Sequence, residues 1–408
     1  MKGILEKGLG EKFVIETDLT KKLVIDNVAK VYPVYKIRSD KLYYNDQNDR
    51  IATWVSQYKT ENNVDEISME NLDEYNAIIH NFVTESNREA LRKTQTNMEL
   101  IGQNVPGVVL QDGRIIDGNR RFTCLRNIEE KTGQTQYFEA VILDHNIKNN
   151  KKQIKMLELM LQHGIDEKID YNPIDRLVGV YNDVIETGLL TAKEYAMGIG
   201  VKESEVVQEI EKAKLMVEFL EFINAPKQFH LARHFNIVDP LKELNTMLKR
   251  INDEDKKEDL KYSVFSQFLI SPEGDATRYM RKIKKIASND RFLEGYLDEQ
   301  VDLVEKVCDI LEAHPEVKEN EIAKIRSDED LKRNFYQSTE KHLNKVNSDA
   351  TRNQPIKLVE KAFDNLELID LNILNKLSVL QVEEFSNNVK DLKEKINNLE
   401  KALELLQV

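Results

Sequence analysis

Strand-like alternation stops near residue 143 and does not return, and this change of period most constrains what the chain can fold into. Before it lie short β-type runs: Phe13-Val14-Ile15, Leu23-Val24-Ile25, Val31-Tyr32-Pro33-Val34-Tyr35, Val108-Val109-Leu110, Arg114-Ile115-Ile116 and Ala140-Val141-Ile142-Leu143. Helical spacing fills residues 71–102 between them. The Asp112-Gly113 pair between two of these runs signals a hairpin, because glycine accepts the positive φ of a tight turn. Beyond residue 150 apolar residues recur at three and four and glycine becomes sparse. The pattern predicts an α+β protein: a small mixed-sheet domain, then a mostly α-helical region. Breaks are expected at Asn172-Pro173, Ala225-Pro226, Asp239-Pro240, Ser271-Pro272, His314-Pro315 and Gln354-Pro355.

The last 27 residues predict a coiled coil. Val382, Val389, Ile396 and Leu403 fall at heptad a positions; Phe385, Leu392, Leu399 and Leu406 fall at d. Branched residues at a with Leu at d favour two parallel strands, and Lys395 at g would face Glu400 at e of the partner. The expectation is a homodimer; the other reading is an amphipathic helix packed within its own chain.

Composition bounds the function. The 408 residues are 40% hydrophobic, enough for at least one sizeable core. The two cysteines, Cys124 and Cys308, cannot make a disulfide framework or a cysteine zinc cage. No run approaches the ~18 apolar residues that span a bilayer, and the start lacks a signal-peptide core, so a cytoplasmic protein without a membrane partner is expected. With 59 Lys+Arg against 72 Asp+Glu the net charge is −13, so any DNA contact must come from a local basic patch.

The most informative stretch is Asp112-Gly113-Arg114-Ile115-Ile116-Asp117-Gly118-Asn119-Arg120-Arg121-Phe122-Thr123-Cys124-Leu125-Arg126. A strand ending at Ile116 runs into a helix starting near Asn119, with Phe122, Leu125 and Ile128 as its buried face. The turn places Asp117, Gly118 and Asn119 at the helix N-terminus, where backbone N–H groups lack intrahelical partners. Arg120 and Arg121 add cationic donors that oppose the helix dipole unless an anion is present. Together these form a candidate phosphate cradle. Elsewhere, His230 and His234 have zincin spacing, but Leu231 stands where the catalytic Glu is required, so no metal site is assigned. No Walker-type Gly-rich loop and no Gly-x-Ser-x-Gly elbow occur.

This strand-turn-helix resembles the Gly-Glu-Arg-Arg box of the ParB/sulfiredoxin superfamily. Four further pieces stand in the family's order: Tyr35-Lys36-Ile37 with Lys41 through Asn45 to Arg50, then Ile101 through Val109, then Leu161-Gln162-His163, then Tyr171-Asn172-Pro173-Ile174-Asp175. The likeness spans roughly residues 31–222. It implies a ParB/sulfiredoxin-like mixed-sheet domain that binds a nucleoside triphosphate, CTP or ATP with Mg²⁺. The ligand would be held by Asn45, Arg50, Asp117, Gly118, Asn119, Arg120 and Arg121, with Arg50 and Gln162 closing over the phosphates. Glu158 and Gln162 would be the catalytic candidates for any slow hydrolysis. The departures are Asn119 in place of the box's acidic residue, apolar Leu159 and Met160 at the family's metal-binding pair, and Cys124 beyond the box. Glu158 could serve only with a register shift, and Cys124 is expected to be a small core residue rather than a reactive thiol.

The stretch from Leu190 to Val207 resembles the helix-turn-helix that follows in ParB proteins, with Ala196, Gly200 and Val206 at its small, turn and core positions. Lys202, Ser204 and Gln208 suit DNA contacts, but the surrounding glutamates Glu203, Glu205, Glu209 and Glu211 would repel phosphates. Two basic clusters could compensate: Lys148, Lys151, Lys152 and Lys155, and Arg278, Arg281, Lys282, Lys284 and Lys285. The expected division is 1–30, a β-type extension; 31–148, the nucleotide-binding domain; 149–222, a helical domain with the helix-turn-helix-like segment; 223–354, helical; and 355–408, the dimerisation segment. The expected function is a dimeric, nucleotide-gated clamp or regulator on DNA. The alternatives are a nuclease or NTPase effector, with Asp112, Asp117, Asp144 and Glu158 as metal candidates, and a module that binds protein.

Overall fold

The computed structural model describes residues 3–25, 28–143, 151–163 and 172–404. Its β-strands all precede residue 144, as the change of period predicts. They are β1 (Val14–Ile25), β2 (Val28–Arg38), β3 (Gly107–Leu110), β4 (Ile115–Asp117) and β5 (Tyr137–Leu143). They form one mixed sheet in the order β1-β2-β5-β3-β4, in which β3 and β5 are parallel and the other pairs antiparallel. The Asp112-Gly113 hairpin forms as expected: Gly113 takes φ +95 and its N–H bonds the Leu110 carbonyl at 3.0 Å.

Alternating side chains give the sheet two buried faces. Ile37, Val109, Ile115, Phe138 and Ala140 face α1 (Ile4–Glu11), α2 (Ala52–Asn62), α3 (Leu72–Ser86), α4 (Arg88–Ile101) and α5 (Asn119–Thr132). Val34, Val108, Leu110, Ile116 and Val141 face Ile154 and Leu157 of α6 (Lys151–His163). The short strands β3 and β4 are thus covered on both sides, which explains their nearly unbroken apolar sequence.

The helical region continues through α7 (Pro173–Val180), a π-helical turn (Tyr181–Glu186), α8 (Ala192–Ile199), α9 (Glu203–Phe222), α10 (Phe229–Phe235), α11 (Val238–Leu248), α12 (Glu254–Ile270), α13 (Ala276–Ala287), α14 (Asp290–Glu312) and α15 (Glu319–Ile325). It ends with α16 (Glu329–Glu367), α17 (Leu371–Leu374) and α18 (Val379–Glu404). Asn172 caps α7 by accepting from Ile174 N at 2.9 Å, with Pro173 at the first helical position, where its missing N–H costs nothing.

Four of the expected boundaries and breaks fall differently in the structure. The cut between 30 and 31 falls inside β2, which pairs with β1 from Val28 to Ile37 across one register shift, so Val14–Ile25 belongs to the sheet. The division at 222 does not separate units: Met1–Leu343 is one compact unit and Asn344–Val408 a second. Pro355 does not break the chain but lies inside α16. Its ring costs the helix one hydrogen bond, to the Thr351 carbonyl, which on so exposed a helix water can satisfy. Asp239-Pro240 likewise opens α11 rather than ending a helix.

In the second unit, α17 and α18 contain no buried residue. The heptad side chains of α18 remain exposed, with Val382 at 49%, Val389 at 47%, Ile396 at 44% and Leu399 at 55%. Leu406 lies outside the described residues. Among the described helices none is long and apolar enough to cross a membrane.

Candidate functional site

The cradle is built where β4 runs into α5. Asp117 ends the strand, and Gly118 turns the chain with φ +106 and serves as the N-cap residue. A Cβ on Gly118 would meet Phe138 Cζ at 2.7 Å, so both the turn conformation and the packing require glycine here. No side chain caps α5 and no acidic residue lies in its first turn. Its leading N–H groups and the positive end of its dipole therefore have no negative counterpart from the chain's own caps.

The expected pair of arginines divides into two roles. Arg121 folds back over Gly118 and donates to Asp117 Oδ2 at 3.1 Å, and the same oxygen accepts from Lys21 Nζ at 3.2 Å. Asp117 is thus a neutralising bridge between two cations. Arg120 has no carboxylate partner among the described residues. Its guanidinium is pushed down to about 10, first by burial and then by the positive charge of Arg50. Beside it Asn119 is 6% exposed, and both its Oδ1 and its Nδ2 are buried without a hydrogen-bond partner among the described residues. A buried, unpaired amide is costly unless a ligand satisfies it.

Arg50 sits on a 3₁₀ turn, Asp49–Ile51, whose Asn48 cap accepts from Arg50 N at 3.0 Å. Asn45 is 2% exposed and accepts from Gln47 N at 3.2 Å, so it shapes the loop leading into that turn. The structure therefore brings together Arg50, Asn119 and Arg120, and assigns Asn45, Asp117, Gly118 and Arg121 to holding them.

Directly behind the Arg50 turn lies a buried ionic cluster that sequence reasoning missed. Lys155 Nζ, expected in a basic cluster that could compensate on the DNA side, is instead 8% exposed and donates to Asp49 Oδ1 at 2.7 Å. It also stands 3.2 Å from Asp183 Oδ2 and 4.0 Å from Glu158 Oε2. These carboxylates hold its ammonium well above the usual lysine range despite burial. Gly179 makes room: a Cβ there would lie 2.5 Å from Asp49 Oδ2. Next to the cluster, burial raises Asp175 to about 6, although it accepts from Thr53 N at 3.2 Å. Lys152 pairs with Glu194 at 2.7 Å, and Lys148 lies outside the described residues.

Among the described residues the donor set does not fit a magnesium ion. Mg²⁺ takes one or two carboxylates that still have open lone pairs toward the phosphates. Glu158, the catalytic candidate, is 2% exposed and faces Lys155. Gln162 lies in the last turn of α6, with its side chain outside the described residues, as is Asp144. Among the described residues no three His, Cys, Asp or Glu side chains are arranged to hold a metal ion. His234 Nδ1 instead meets Glu319 at 3.1 Å, at the rim of a cavity of about 240 Å³ formed by α2, α10 and α15. Cys124 is fully buried in the core, and burial pushes its thiol up to about 12, as expected for a structural cysteine.

The DNA candidates separate in the same way. Lys202, Ser204 and Gln208 are exposed on the first turns of α9, joined to α8 by a turn in which Gly200 takes φ +71. The acidic residues around them are largely structural: Glu205 caps α9, and Glu209 pairs with Arg176 at 3.0 Å. On α13 the basic cluster is largely compensated by neighbouring elements. Lys282 is held by Glu273 at 2.6 Å and Glu340 at 2.9 Å, and Lys284 by Glu243 at 2.7 Å. Arg281 is 3.9 Å from Glu243, while Arg278 and Lys285 are exposed with no ion pair among the described residues. Lys282 is thus engaged by two carboxylates that could not be seen from its own helix.

No protein-family model matches the chain, and no curated protein matches it. Among solved structures it is similar to a Pnob8-like ParB-N domain, at 13% identity, covering 66% of this chain and 98% of that one, with a TM-score of 0.37. The functional reading accordingly rests on the residues of the cradle.

Proposed function

We propose that the chain binds a nucleoside triphosphate, CTP or ATP, at the N-terminus of α5, and acts with DNA as a homodimer. The observation that carries the reading is Asn119, buried with both amide atoms unpartnered among the described residues, beside the uncompensated guanidinium of Arg120. Phosphate oxygens would satisfy the amide's donor, the leading N–H groups of α5 and Arg120, and would relieve the repulsion between Arg120 and Arg50.

The test is a calorimetric titration of the full chain with CTP, ATP, GTP and UTP. Charge-assisted hydrogen bonds contribute ~1.5–3 kcal/mol each, so Arg120→Ala should weaken binding roughly 10–150-fold. Arg121→Ala should weaken it less than about 10-fold, because that guanidinium serves Asp117. Equal losses for both variants, or none for Arg120→Ala, would remove the cradle as the binding site. A protein-binding module is the second reading, favoured by the exposed apolar stripes of the second unit.

A further inference from the structure

Behind the Arg50 turn lies a group of carboxylates from which a divalent metal on that side of the cradle could take ligands. Among the described residues these are Asp49, on the same turn as Arg50, with Glu158 and Asp183 brought to it by α6 and the π-helical turn. All three surround one ammonium, Lys155, which also donates to the Gln47 carbonyl at 3.4 Å. Their side chains are 6%, 2% and 10% exposed, so the cluster is closed to solvent on all of its members.

We propose that Lys155 is a resident cation that stands in for a divalent metal beside the cradle, so that the ligand bound is the metal-free triphosphate. This rests on the nucleotide reading above and narrows it. For a metal to enter, Lys155 would have to leave its three carboxylates or remain as a buried charge beside the incoming ion, and either outcome is strongly unfavourable. The cradle itself already gathers two cations, Arg50 and Arg120, whose charges oppose one another. The phosphate charge is instead matched by those two guanidinium groups and the helix N-terminus. The same arrangement fixes Asp49, and through it the backbone of the turn that presents Arg50. Lys155 is thus a positioning residue as well as a counter-charge.

Two measurements test this on the full chain. The first is titration with the four triphosphates in excess EDTA and in excess magnesium chloride. Binding in EDTA at least as tight as in magnesium is expected, since magnesium competes for the phosphate oxygens. Binding that requires magnesium overturns the assignment of Lys155 while leaving the nucleotide reading intact. Binding in neither medium overturns the nucleotide reading and this inference with it. The second measurement needs no nucleotide. Lys155→Gln removes the ammonium from between Asp49, Glu158 and Asp183 and should acquire a Mn²⁺ site visible by electron paramagnetic resonance, whereas the parent should show none. A parent that binds Mn²⁺ as tightly as the variant overturns the proposal. If Lys155→Gln does not fold, the EDTA comparison on the parent decides alone.

Discussion

At the residue scale, burial has done more than charge count to set the roles. Asp175 shows this. Its carboxyl is raised from 3.8 to about 6, chiefly by burial, with the Arg233 charge only partly opposing. An acid raised on folding favours the folded state fully below its unfolded value and loses that contribution as pH climbs through the folded one. The parent should therefore lose stability between about pH 4 and pH 6 on account of Asp175, by roughly 3 kcal/mol for a shift of this size. Asp175→Asn keeps an acceptor for Thr53 N but cannot ionise. Urea melts should show the variant near parity at about pH 4 and more stable by roughly that amount at pH 7. A constant difference across this range would mean that the carboxylate is not desolvated as the geometry requires. The cradle was legible at this scale because Gly118, Asn119, Arg120 and Arg121 are consecutive. The separation of Arg120 from Arg121 was not, since it depends on Asp117 and Lys21 meeting across the sheet edge. Lys155 was misread for the same reason: Asp49 is 106 residues away and Asp183 joins from a third segment.

At the scale of elements, local pattern was a good guide to type and a poor one to surface charge. The strands, the hairpin at Gly113 and the helices over 71–102 are all readable from period and turn chemistry. By contrast α13 carries five basic residues and no acid, yet α11, α16 and the loop before α13 supply Glu243, Glu340 and Glu273 to it. A helix read alone cannot disclose what its neighbours bring. This changes the expected DNA behaviour. Each phosphate neutralised contributes about 0.9 to the slope of log affinity against log salt. The double change Arg278→Gln with Lys285→Gln should thus lower the slope of any DNA binding by about 1.8 if both touch phosphate. Lys282→Gln should leave the slope alone and lower thermal stability instead, because it leaves Glu273 and Glu340 facing one another unpaired. Fluorescence anisotropy at several salt concentrations, beside a melt of each variant, separates the two outcomes; a slope unaffected by the double change would exclude α13 as a DNA-facing element.

At the scale of the molecule, the second unit is a segment that cannot account for its own helices. Its exposed side chains include Ile356, Val359, Phe363 and Leu366 on α16, spaced three, four and three apart, besides the heptad stripe of α18. Isolated helices draw little stability from propensity alone and need an apolar face packed against something. Exposed apolar stripes of this length mark an interaction surface. The homodimer proposed above would make a second copy of the chain the occupant, since the heptad suits it: branched residues at a, Leu at three of the four d positions, and Lys395 opposite Glu400 of the partner. Association and helicity in this unit should then be one event. Placing Asp at both Ile396 and Leu399 would bury unpaired charges in the seam. Light scattering should show the mass halved, and circular dichroism should lose helical signal corresponding to residues 344–404. The melt of the first unit should be unchanged, because its core holds none of these side chains. An unchanged mass would show that the stripe of α18 is not a subunit interface. A halved mass with full helicity would break the link between association and folding, and would return these helices to a stability of their own that their exposure does not explain.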